Sequence, residues 1–103
     1  MNSILDEICK TAQLEQKTIE QMALKLSEET GEIAQAILAL TQAGGSVYKD
    51  KNIEDVKEEC IDLVLVASAL FFKLEDPTEA TQILNYKAMI NNKISKWQHH
   101  IND

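Results

Sequence analysis

The sequence predicts an all-α fold: a four-helix bundle-like protomer, with one shorter N-terminal helix and three long helices, that works as an oligomer. Three observations carry this expectation. Apolar residues recur at spacings of three and four in four separate segments. Capping residues stand at the start of each segment. Only three Gly and one Pro interrupt the 103 residues, too few for a loop-rich or all-β chain. An apolar content of 45% with 26% charged residues belongs to a folded domain rather than a disordered chain. A single domain, residues 1–103, accounts for the length.

Each element has its own signals. Ser3 with Asp6 forms a capping pair for the first helix, and Ile4, Leu5, Ile8 and Ala12 give it one apolar stripe. Thr18 with Gln21 opens the second, which the pattern extends to Gly44-Gly45; residues 44–51, with Tyr48, read as a loop. Asn52 with Asp55 opens the third. Asp76-Pro77-Thr78-Glu79 opens the fourth, with Asp76 as cap and Pro77 at the first helical position. Ile83, Tyr86 or Lys87, Ile90, Ile94, Trp97 and Ile101 form its stripe, so Trp97 is expected in a core and the adjacent His99 and His100 at a frayed end. The three long segments are roughly 35 Å each at 1.5 Å per residue, and short connections make them antiparallel neighbours. From Cys60 to Phe72 the third helix is apolar nearly all round and is expected to be buried on every side. One small chain does not supply that much cover, which argues for a homo-oligomer, dimer or tetramer.

Charge excludes several partners. There are 17 Asp and Glu against 10 Lys and no Arg, a net charge of −7. Neutralising nucleic-acid phosphates needs clustered cations, and Arg above all for bidentate contact, so nucleic acid is excluded as a partner, as is an anionic membrane surface. Cys9 and Cys60 make neither a disulfide framework nor a spaced metal set and read as small core residues. Met1-Asn2-Ser3-Ile4-Leu5-Asp6-Glu7 has no basic region and no apolar run, so a cytoplasmic protein is expected.

The informative acids stand where the helical pattern asks for apolar residues. Met22, Leu26, Glu29, Ile33 and Ile37 form one stripe with steps of 4, 3, 4 and 4. Val56, Glu59, Leu63, Val66 and Leu70 form another, with steps of 3, 4, 3 and 4. Glu29 and Glu59 thus fall in buried seams, with Glu32 and Asp62 three residues on and sharing their faces. Lys25, four residues before Glu29, is spaced for a local ion pair. Lone buried carboxylates cost several kcal/mol, and four converging from two helices also repel. A hard divalent cation between the helices makes the arrangement sensible, and an all-oxygen donor set favours Mg²⁺, with Mn²⁺ as substitute, over Zn²⁺. Four charges exceed what one such ion neutralises, so either more than one binds during turnover or some carboxylates are protonated or paired with Lys. The absence of Glu-x-x-His on these helices argues against a di-iron carboxylate bundle.

Lys25-Leu26-Ser27-Glu28-Glu29-Thr30-Gly31-Glu32-Ile33, followed by Glu58-Glu59-Cys60-Ile61-Asp62-Leu63, resembles the MazG-like members of the all-α nucleoside triphosphate pyrophosphohydrolase superfamily. The shared pattern is E-x-x-E, a spacer of a couple of dozen residues, then E-x-x-D; here residues 33–58, 26 in number, separate the pairs. The resemblance spans residues 19–97. It implies a Mg²⁺-dependent attack of water on the α-phosphorus of a nucleoside triphosphate, releasing pyrophosphate and leaving the monophosphate. It makes Glu29, Glu32, Glu59 and Asp62 the metal ligands and catalytic residues, with Glu29 or Glu32 taking the water's proton. It also implies phosphate or base contacts from the last helix, where Ala88-Met89-Ile90-Asn91-Asn92-Lys93-Ile94-Ser95-Lys96-Trp97 is similar to the C-terminal pattern of such proteins. Asn92, Lys93 and Lys96 are the candidates, with Lys96 or Ser95 standing where relatives often carry Arg. Activity of the phosphoribosyl-ATP pyrophosphohydrolase or dUTPase kind, or a non-catalytic helical module binding nucleotide or metal, are the alternatives; the Glu-Glu-Thr-Gly-Glu stretch favours the MazG-like side.

Overall fold

A computed structural model describes residues 3–41, 52–76 and 78–102. Among them are four helices and no strand: α1 (Ile4–Leu14), α2 (Ile19–Leu40), α3 (Ile53–Lys73) and α4 (Glu79–Ile101). The all-α expectation holds at this level. The loop expected over residues 44–51 and the expected first-turn Pro77 lie outside the described residues.

Local chemistry sets the starts. Ser3, Thr18 and Asn52 each accept the amide of the third helical residue. Asp6, Gln21 and Asp55 at that third position reach back to the capping residue's own amide. Such reciprocal boxes satisfy two amides that a helix start otherwise leaves open. The start of α4 differs from expectation: Thr78, not Asp76, is the cap, and its hydroxyl accepts from the Thr81 amide at 3.3 Å. The last turn of α1 has no basic residue of its own. The Lys73 ammonium, from the end of α3, donates to the carbonyl of Glu15, the residue that caps α1. A cation there also opposes the negative end of the helix dipole.

Helix α3 is the hub, packed against α1 on one side and α2 on another, while α4 packs on α1. The core holds Cys9, Ala12, Phe72 and Ile83, with Leu5, Ile8, Ala69, Phe71 and Tyr86 packed against it. Phe71 meets both Phe72 and Tyr86 edge-on, with ring centroids 5.4 and 5.1 Å away, and Phe72 stacks on Tyr86 at 5.2 Å. Buried Ser68 shares a 2.8 Å hydrogen bond with the Tyr86 hydroxyl, tying α3 to the first turns of α4. Burial pushes the Cys9 thiol above its ordinary pKa, in keeping with a core role.

Several expected burial sites are open instead. Ile4 is exposed, and Cys9 takes its place in the buried face of α1. Cys60 is exposed, not a core residue. Ile61, Val64 and Leu65 leave one flank of α3 uncovered, so that helix is not buried all round within this chain. Trp97, expected in a core, is 66% exposed, as are the other stripe residues beyond Tyr86 to a lesser degree. The described helices of the chain do not reach those faces. No described helix is long and apolar enough to cross a membrane.

Candidate metal centre

Helices α2 and α3 pack along the two seams read from sequence, in antiparallel register. The α2 seam is Met22, Leu26, Glu29, Ile33 and Ala36, with Ala36 replacing the expected Ile37, which is exposed. Glu29 therefore arrives in the interface because its neighbours on that face are apolar and drive the face inward. It is only 4% exposed. Glu59 enters from α3 by the same logic, between Val56 and Leu63, and is partly buried.

One carboxylate oxygen each from Glu29, Glu59 and Asp62 lie within 4.8 Å of one another. Within this group, Glu29 Oε2 and Glu59 Oε2 are buried without any hydrogen-bond partner. Glu29 Oε1 is paired with the Lys25 ammonium at 3.0 Å, the local ion pair that the i, i+4 spacing suggested. That contact raises the Lys25 pKa, first through the hydrogen bond and then through the Glu29 charge.

The four expected ligands are not equivalent. Glu32 stands outside the close trio and is exposed, and Asp62 is exposed although it belongs to the trio, so the cluster is not buried throughout. The reason is angular. A residue three places along a helix sits about 60° around the axis from its starting point, which turns Glu32 and Asp62 out of the seams that hold Glu29 and Glu59. Glu32 still reaches the cluster. Its hydrogen bond with Glu59, then desolvation and the charges of Glu29, Glu59 and Glu28, hold its carboxyl above the ordinary value. Buried oxygens without donors, all of them hard carboxylate oxygens, fit a hard divalent cation.

A cavity of about 420 Å³ adjoins this cluster and was not read from sequence. Ile8, Ala12, Met22, Leu65, Val66 and Ala69 give it apolar walls, and Lys17, Lys25, Glu7 and Glu15 also line it. Lys25 belongs to both cavity and cluster. A signal did exist: Met22 and Val66 lie seven residues, two helical turns, from Glu29 and Glu59 along the same seams.

The expected phosphate contacts on α4 stand apart. Lys93 lines a shallow hollow with Ala67, Ser68, Phe71, Tyr86, Met89 and Ile90. Asn92 and Lys96 line another with Ser95, His99 and His100, all from α4 itself. Among the described residues, neither lysine forms an ion pair with the four acids.

Comparison of the chain with known protein families, with curated proteins and with solved structures finds no match in any of the three.

Proposed function

We propose that this chain is a divalent-cation-dependent nucleoside triphosphate pyrophosphohydrolase, acting as a homo-oligomer and converting a (d)NTP and water to the (d)NMP and pyrophosphate. The observation that carries the reading is the pair of buried, unpartnered oxygens on facing helices, Glu29 Oε2 and Glu59 Oε2. Glu29, Glu59 and Asp62 are the residues that would hold the cation, with Glu32 joining through Glu59. When bound, Mg²⁺ or Mn²⁺ supplies charge neutralisation for a triphosphate that the acidic site otherwise repels, and lowers the pKa of bound water.

The remaining roles fall to side chains. The water oxygen bonds to the α-phosphorus while the bond from that phosphorus to the α,β-bridging oxygen breaks, its electron pair leaving with pyrophosphate. A carboxylate takes the water's proton. We assign that role to Glu32 because it is exposed at the cluster's edge, whereas Glu29 is buried and already paired with Lys25. Lys25 positions Glu29 by that pair. The apolar cavity beside Lys25 is in the size range of ligand sites and suits the nucleoside, with Met22 and Val66 against the base.

The test is direct. Purified protein is incubated with each dNTP and NTP plus Mg²⁺, and pyrophosphate and monophosphate are measured, with Glu59→Gln as control. Pyrophosphate release that depends on metal and is lost in the control is the expected result. Release of single phosphate would put the attack at the wrong phosphorus. No product from any nucleotide would sink the enzymatic reading and leave a non-catalytic metal- or nucleotide-binding module.

A further inference from the structure

Among the described residues, the second half of α4 has little cover, a shallow hollow beside α3 at Met89, Ile90 and Lys93 apart. Every residue from Lys87 to Asn102 is exposed. A helical stretch of that length is marginal in water unless something packs on it. Its apolar side chains are nevertheless ordered. Ile90, Ile94, Trp97 and Ile101 follow steps of four, three and four, the 3.5-residue spacing of a seam that packs on another helix. The seam begins inside the protomer, where Ile83 is buried in the core and Tyr86 packs on Phe71, and then runs beyond the helices available to cover it.

Charge selects the occupant. Residues 87–101 carry Lys87, Lys93 and Lys96 and no acid, in a chain of net charge −7. Lys93 and Lys96 immediately precede Ile94 and Trp97 and so flank the apolar seam on one side. Two α4 helices laid together would oppose lysine to lysine. The matching surface is on α3, where exposed Ile61 and Leu65 share one face with exposed Glu58 and Asp62, at the i, i+3, i+4, i+7 positions of a single stripe.

We propose that α4 of a second copy of this chain lies along this α3 face, with Ile94 and Trp97 against Ile61 and Leu65, and Lys93 and Lys96 beside Glu58 and Asp62. The exchange closes under a two-fold axis, since each copy gives one arm and receives one. It also brings lysines to the rim of the carboxylate cluster, because Asp62 belongs to both surfaces. Their role there as phosphate contacts rests on the hydrolase reading above; the docking itself does not.

The experiment is a charge swap read by sedimentation velocity. One protein carries Lys93→Glu with Lys96→Glu, the other Glu58→Lys, and neither alters the clustered trio. Each alone self-associates about tenfold or more weaker than wild type, because like charges then face one another. Mixed in equal amounts they pair again, since the reversed arm meets the reversed face and the two native surfaces meet. Ile94→Asp, outside the protomer's core, gives a monomer that still unfolds cooperatively. A monomeric wild type, a dimer indifferent to the lysine reversal, or a mixture that does not re-form the dimer overturns the proposal. None of these readouts uses nucleotide or metal. A charge-swappable dimer without turnover would therefore retire the hydrolase reading alone, and turnover by a monomer would retire the interface alone.

Discussion

Replacing Glu59 by Gln removes one charge from the carboxylate cluster while keeping the side chain's length and one acceptor oxygen. Oxygens of Glu29, Glu59 and Asp62 lie within 4.8 Å of one another. At that separation and an effective dielectric of about 20, two unit charges repel by about 3–4 kcal/mol. Water at the partly buried Glu59 and the exposed Asp62 absorbs a share, and Lys25 offsets part of the charge on Glu29. The metal-free variant should therefore be more stable than wild type by about 1–3 kcal/mol. For a domain of this size each kcal/mol moves Tm by about 4–8 °C. Mg²⁺ should narrow or reverse the order. At free Mg²⁺ about a hundredfold above its Kd, the wild type gains about 2.7 kcal/mol, and the variant, one ligand short, gains much less. Thermal and urea unfolding followed by circular dichroism, first in EDTA and then in Mg²⁺, reads both effects. A variant less stable than wild type in EDTA would show that the carboxylates do not strain the metal-free fold. An equal gain from Mg²⁺ in both proteins would remove Glu59 from the ligand set. Either result refutes the reasoning.

Three further outcomes are expected. Glu32→Gln should flatten part of the pH dependence of metal-free stability. The folded Glu32 carboxyl is held above its ordinary value of 4.5, so its contribution is full below that value and is lost as pH rises through the folded pKa. Urea titrations from about pH 4 to about pH 7 should show wild type losing stability relative to the variant, and parallel profiles would contradict this. Tyr86→Phe leaves the buried Ser68 hydroxyl without its 2.8 Å partner and should cost about 1–2 kcal/mol in urea unfolding. An unchanged midpoint would show that Ser68 finds another acceptor. Gly31 lies in the interior of α2, and apart from its own stretch of backbone no atom stands within 4 Å of where a Cβ would be, so Gly31→Ala should stabilise the metal-free protein by about 0.5–1 kcal/mol. A destabilised Gly31→Ala protein would mean that something packs against that position in solution.

What was legible in the chain was local. Capping boxes at Ser3, Thr18 and Asn52 act over three residues, and helical stripes over a few turns, so both appear in the sequence and recur in the structure. Glu29 and Glu59 were legible for the same reason: apolar neighbours at three and four residues dictate which way their faces turn. The close approach of Asp62, the looser place of Glu32 and the cavity beside Lys25 were not, because each depends on how α1, α2 and α3 are set against one another. Burial divides along that line too. The stripe of α4 is written in its spacing, but a stripe states only that a face is apolar, not which surface covers it. Ile83 finds that cover inside its own chain, while Ile94 and Trp97 do not. Periodicity is a property of one helix, whereas burial is a property of its neighbours.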